Sequence, residues 1–103
     1  VIIGGHTHCL QGIEYIGDVP VFYSLGNYWF SSTENMPDDY DTGLAQIRIA
    51  ADGTIKAYFV PCKFSKGVTS EVIDVTGRET LYNKLRELSK TVTITEDGEL
   101  IKK

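Results

Sequence analysis

Asp52-Gly53 stands between two runs of alternating side chains and constrains the fold more than any other pair of residues. Asp-Gly readily supplies the positive φ angles that a two-residue hairpin turn requires. The pattern therefore predicts antiparallel strands over Leu44 to Ala50 and Thr54 to Val60. Ala45, Ile47 and Ile49 share one face, as do Ile55, Ala57 and Phe59, while Gln46, Arg48, Lys56 and Tyr58 give the sheet a polar side. Pro61, which lacks an N–H to donate, is expected to end this ladder.

Two weaker turn signals repeat the theme. Gly17-Asp18 separates Gln11–Ile16 from Val19–Leu25, and the second run places Val19, Val21, Tyr23 and Leu25 on one face. Pro20 marks an edge position or a strand start. Asp97-Gly98 lies between Thr91–Thr95 and Leu100-Ile101 and reads as a small terminal hairpin, trimmed or frayed. Lys63 to Val75 reads as a loop with a short strand around Glu71-Val72-Ile73. One segment has helical spacing: Leu81, Leu85 and Leu88, with Tyr82 beside them, form an apolar stripe. Thr76 and Glu79 fit a capping box at its start, and Lys84, Arg86 and Lys90 lie toward its negative end. The expected fold is α+β, with mostly antiparallel β hairpins and one C-terminal helix, in a single domain over residues 1–103.

Composition narrows the function. The 103 residues are 42% hydrophobic and 23% charged, with a net charge of −4 and no cluster of Lys or Arg. That balance suits a globular chain and argues against a nucleic-acid or anionic-membrane surface. No apolar run approaches the ~20 residues needed to span a bilayer, and no signal peptide is visible. Val1 opens the chain within an apparent buried strand, so the expectation is a piece of a longer protein.

Chemistry concentrates at that start, in Val1-Ile2-Ile3-Gly4-Gly5-His6-Thr7-His8. An apolar strand runs into two glycines, then into two histidines one residue apart. In an extended segment His6 and His8 would point to the same side, and imidazole is a common ligand for divalent ions. Two neutral imidazoles leave most of a coordination shell open, so further ligands must come from elsewhere. Cys9 follows directly, and alternation turns it away from the histidines. It reads as a buried thiol, with a metal ligand or a disulfide to Cys62 left open. Tyr28-Trp29-Phe30 reads as cover for a core edge. Ser31 to Asp41, with Glu34, Asp38, Asp39 and Asp41, reads as a solvated loop.

Gly5-His6-Thr7-His8 has the Gly-His-x-His form of the last metal-binding motif in calcineurin-like metallophosphoesterases. With Leu10-Gln11-Gly12 after it and Tyr23-Ser24-Leu25-Gly26-Asn27-Tyr28 further on, the stretch from Val1 to Phe30 resembles the bacterial capsule-synthesis family, also called the poly-γ-glutamate-synthesis family. The likeness continues loosely to Pro61 and then fades. It departs from the family pattern at Gly5, Thr7 and Ser31-Ser32. The resemblance implies a fragment of a metallophosphoesterase-like αββα sandwich, in which this chain is the C-terminal portion of a larger domain. It implies a dinuclear centre of Mn, Fe or Zn, with His6 and His8 as metal ligands. Their second ring nitrogens need hydrogen-bond partners, for which Thr7, Gln11 or Asn27 are the candidates. It also implies that the remaining ligands lie in a missing N-terminal part of the same protein, so that this piece alone is inactive. The substrate would be a phosphoester or an envelope polymer, and the location the cell envelope or outside the cell. Cut from such a sandwich, the chain is expected to expose strand edges and to form a homodimer. A second reading is a non-catalytic, β-rich module that binds an envelope polymer, with a vestigial His pair.

Overall fold

The computed structural model describes residues 1–5, 7, 9–26, 28, 39–65 and 68–103. The expected α+β class holds. Eight strands and one helix follow the order β1 (Ile2–Ile3), β2 (Ile13–Ile16), β3 (Val19–Phe22), β4 (Asp39–Ile49), β5 (Ile55–Ser65), β6 (Val68–Glu71), α1 (Val75–Leu88), β7 (Val92–Ile94) and β8 (Glu99–Lys102) among the described residues. They form a three-stranded sheet in the order β1-β3-β2 and a five-stranded sheet in the order β4-β5-β8-β7, with β6 pairing the far end of β5. Only β1 and β3 run parallel; the other pairs are antiparallel.

The three hairpins form at the three turn signals, with Gly17, Gly53 and Gly98 at φ +60°, +89° and +87°. At Gly98 a side chain would also strike the Phe59 carbonyl oxygen at 2.4 Å. The terminal hairpin is not frayed: β8 lies inside the five-stranded sheet, paired with β5 through Ala57↔Leu100 and Tyr58↔Glu99. Its turn contributes too, since the Phe59 N–H donates to the Gly98 carbonyl at 2.9 Å.

Pro61 does not end its ladder. β5 continues to Ser65, and β4 starts correspondingly early, at Asp39 rather than Leu44. The reason is the direction of the missing N–H. Phe59 directs its N–H toward Gly98, so two residues on the nitrogen of Pro61 faces the same side, in the gap between the end of the β8 pairing and the start of β6. The Pro61 carbonyl on that side accepts from the Val72 N–H at 3.0 Å. The strand expected around Glu71-Val72-Ile73 lies earlier, at Val68–Glu71, and Ile73 beyond it is exposed.

The helix begins two residues before the predicted cap. Asp74 is the N-cap, and its carboxylate accepts from the Gly77 N–H at 2.7 Å. Aspartate is at least as good a cap as threonine, and Gly77 leaves room for it, since a Cβ there would lie 2.8 Å from the Asp74 oxygen. Glu79 instead pairs with Arg86 at 2.9 Å, two turns further along. Leu81, Tyr82 and Leu85 are buried as expected, but Leu88 is half exposed.

One core joins all of this. Ile13 and Phe22 of the small sheet pack with Ala57, Phe59, Ile94 and Leu100 of the large one, and with Leu81, Tyr82 and Leu85 of the helix. The outer edge of β2 is closed by side chains rather than by a strand: Ile13 N–H donates to Ser89 Oγ at 2.9 Å and Tyr15 N–H to Thr91 Oγ1 at 3.0 Å. The four residues expected on one face of this run divide: Val19 and Tyr23 are exposed, Val21 is buried and Leu25 packs against the core, to which β3 also turns Pro20 and Phe22 beside their partners Tyr15 and Ile13. Val1, Ile2 and Ile3 are also more than half exposed, because β1 is the open edge of its sheet rather than a buried strand.

Candidate functional site

The described residues on either side of the histidines are pinned to one stretch of backbone. On the way in, β1 runs beside β3 with Ile2↔Val21 and Ile3↔Phe22 in register, and the Gly4 N–H donates to the Phe22 carbonyl at 2.7 Å. A Cβ on Gly4 would lie 2.4 Å from the Tyr23 carbonyl oxygen, so the close approach needs glycine here. On the way out, Leu10 bridges Leu25, the Gln11 N–H donates to the Ser24 carbonyl at 3.1 Å, and the Tyr23 N–H donates to the Gly12 carbonyl at 3.3 Å. Residues 22–25 thus hold the described backbone on both sides of the histidine pair.

Between these anchors the described residues bond back to one another. The Thr7 N–H turns back to the Gly5 carbonyl at 3.0 Å, and the Thr7 hydroxyl donates to the Cys9 carbonyl at 3.3 Å. Strand alternation therefore does not govern Cys9, and its expected burial is corrected: Cys9 is exposed, Cys62 is buried, and both are free thiols. Burial, with a smaller effect of the Glu71 carboxylate, pushes the Cys62 thiol up from its ordinary pKa.

The backing strand is itself braced. Ser24 is buried and its hydroxyl accepts from the Gly26 N–H at 3.2 Å. Gly26, at φ +74°, approaches β4 so closely that a Cβ would lie 3.0 Å from the Asp41 carbonyl oxygen. One residue further along β4, the fully buried Thr42 donates its hydroxyl to the Leu25 carbonyl. On the outer face Tyr23 donates its hydroxyl to Glu14, and that bond, more than burial, raises the phenol pKa.

Of the sequence-predicted site residues, Thr7 and Gln11 fall in the pinned loop and at its exit, whereas His6, His8 and Asn27 lie outside the described residues. So do Trp29, Phe30 and the acidic stretch 31–38; Tyr28 is partly exposed. Among the described residues no three His, Cys, Asp or Glu side chains come together to hold a metal ion. The groups described around the loop are backbone, hydroxyl and one exposed thiol, so a metal held here would draw its nitrogen donors from His6 and His8 and need further ligands. Sequence reasoning gives no role to the side chains of Ser24 and Thr42. Thr42 lies before Leu44, where the strand is expected to begin; Tyr40 and the β-branched Thr42 itself are the available strand signal.

A cleft of about 420 Å³ lies between the first turns of α1 and the β4–β5–β6 end, lined by Asp41, Lys63, Ser70, Glu71, Asp74 and Lys84 among others. Lys84 and Asp41 pair across it at 2.8 Å.

Residues 1–32 match the family described as bacterial capsule synthesis protein PGA_cap. The chain is similar to bacterial capsule synthesis proteins, as its opening motifs imply. It is 29% identical over 101 residues to the PGA biosynthesis protein CapA of Bacillus subtilis (strain 168), covering 97% of this chain and 26% of that protein. It is 28% identical over 85 residues to the capsule biosynthesis protein CapA of Bacillus anthracis, covering 82% of this chain and 20% of that protein. The chain therefore spans 20–26% of the length of these curated relatives. No solved structure matches it. No helix among the described residues is long and apolar enough to cross a membrane.

Proposed function

We propose that this chain carries two metal ligands, His6 and His8, of a capsule-synthesis-type, metal-dependent hydrolase acting on a phosphoester or an envelope polymer. The observation that carries this reading is the loop anchored at Gly4 and at Leu10-Gln11, which fixes the backbone on both sides of the pair before any ion arrives. Preorganised backbone lowers the entropy lost when ligands are gathered around an ion. A divalent ion bound there (Mn, Fe or Zn) supplies Lewis acidity and lowers the pKa of a bound water. The chain's own task is to present neutral imidazole nitrogens and to fix their tautomers through the second ring nitrogen. Thr7 can accept such an N–H while donating to Cys9, because a hydroxyl has lone pairs to spare; Gln11 and Asn27 are the other acceptors within reach in sequence. Further ligands come from other parts of the longer protein that the relatives' lengths suggest. A role at the cell envelope follows from the capsule synthesis relatives.

Calorimetric titration with Mn²⁺ and Zn²⁺, beside a His6→Ala/His8→Ala variant, tests the ligand assignment. Stoichiometric binding lost in the variant supports it, and binding of equal strength in both proteins overturns it. Hydrolysis is tested separately, by Mn²⁺-dependent turnover of a phosphoester in the longest natural form of the protein. Metal-independent binding of an envelope polymer, undiminished in His8→Ala, would instead assign the chain to a non-catalytic module.

A further inference from the structure

Thr42 is a polar side chain with no exposed surface, placed on a strand of the large sheet yet bonded to the small one. Burying a hydroxyl is unfavourable unless it finds a partner, and valine would fill nearly the same volume on a strand without that penalty. The partner it finds is the Leu25 carbonyl. Leu25 is the residue that bridges Leu10, and its neighbour Ser24 holds the Gln11 N–H through its carbonyl at 3.1 Å and the Gly26 N–H through its hydroxyl at 3.2 Å. The exit of the histidine loop therefore rests on residues 24–26. Those residues meet β4 through the Thr42 bond and through the close approach of Gly26 to Asp41.

We infer that Thr42 is a positioning residue for the histidine loop, fixing from the second sheet the backbone on which the loop's exit is built. The inference rests on the reading of His6 and His8 as metal ligands for its functional meaning, but its structural content can be tested without metal. Removing the hydroxyl leaves the Leu25 carbonyl without its donor and frees residues 24–26 to shift, while the hairpin and helix contacts of β5 are untouched.

Amide hydrogen exchange on Thr42→Val reads this directly. The Gln11 and Gly26 amides should exchange about tenfold faster, the loss expected for one buried hydrogen bond, while the Phe59 and Ala50 amides keep their rates. Thr42→Ser should restore protection. If Thr42→Val fails to fold, comparison of Thr42→Ser with Thr42→Ala isolates the same hydroxyl. Unchanged exchange at Gln11 and Gly26 overturns the inference, and so does equal acceleration at every amide, which would mark Thr42 as a contributor to global stability alone. Where the wild-type chain binds Mn²⁺, Thr42→Val should weaken binding about tenfold at unchanged stoichiometry, within the range for groups that orient metal ligands. Binding as tight as wild type would overturn the positioning role. If the wild-type chain binds no Mn²⁺, it is the ligand assignment that fails, and the exchange rates still decide the role of Thr42.

Discussion

A methyl group on Gly4 would sit 2.4 Å from the backbone oxygen of Tyr23, whereas one on Gly5 would meet nothing within 4 Å. The two adjacent glycines look alike in the sequence, and the structure separates them. Backbone cannot swing aside as a side chain can, so Gly4→Ala should destabilise by about 1–3 kcal/mol, the usual range for overpacking. Gly5→Ala should stay within about 0.5 kcal/mol, as surface substitutions do. Urea denaturation midpoints of the two variants check the contrast; equal midpoints would mean that β1 does not hold to β3 in solution. The cysteines offer a second contrast. Cys9 is exposed, and Cys62 is buried with its thiol pKa raised by that burial and by Glu71. Iodoacetamide at neutral pH should label Cys9 first and reach Cys62 only after denaturant is added, read as successive mass shifts. Neither difference was legible beforehand. Exposure at Cys9 depends on a bent loop, and the fit at Gly4 depends on a strand that pairs from beyond Gly17-Asp18.

What the sequence did reveal was hairpins, because each turn is a local event written in two residues. Gly17-Asp18, Asp52-Gly53 and Asp97-Gly98 all mark real turns, and the alternation around Asp52-Gly53 found the strands with their ends clipped. The ends were lost where a local rule met a non-local fact. Pro61 is harmless only because β8 and β6 leave a gap beside it, and no window of sequence contains all three strands. The helix cap is a subtler case, since both Asp74 and Thr76 are capable caps. Asp74 holds the Gly77 N–H, so Asp74→Ala should destabilise by about 1 kcal/mol while Thr76→Ala stays within about 0.5 kcal/mol, both read from thermal unfolding. The Asp52 turn adds a pH dependence. Its carboxylate accepts from the Thr54 N–H at 2.9 Å, and that bond, then one to the Thr54 side chain, lowers its pKa. A carboxyl group with a depressed folded value gives stability that is fully present above its unfolded value and lost as pH falls through the folded one. Tm should therefore fall as the pH drops below the ordinary aspartate range, and fall less in Asp52→Asn, which keeps an acceptor oxygen but has no charge to lose.

At the scale of the whole molecule, the two sheets share one core, but their surfaces are not equally finished. The outer edge of β2 is closed by the Ser89 and Thr91 hydroxyls. The opposite edge, β1, is open, and beside it Ile2, Ile16, Val19 and Tyr23 are exposed at 56%, 58%, 41% and 45% on the outer face of the same sheet. An open edge next to an apolar face is a template for pairing with another chain. The fold read from the sequence anticipated such surfaces, though it put Val1-Ile2-Ile3 inside rather than at the rim. Taken alone in solution, the chain should self-associate through this face. Sedimentation velocity should show a species heavier than the monomer at about 100 µM that dissociates on dilution, as mass action requires. Charge is the sharpest probe of which face is used. Ile2→Lys places an ammonium on the edge strand, at a side chain already more than half exposed, and should restore the monomer without moving the denaturation midpoint by more than about 0.5 kcal/mol. Ile73→Lys, on the still more exposed segment before α1 and far along the chain from that sheet, should leave association as it was. A monomer at every concentration would show that the face is tolerated in water. Association undiminished by Ile2→Lys would move the contact elsewhere, and the long β4–β5 hairpin, with Ile49 and Ile55 exposed at its tip, would then be the surface to charge next.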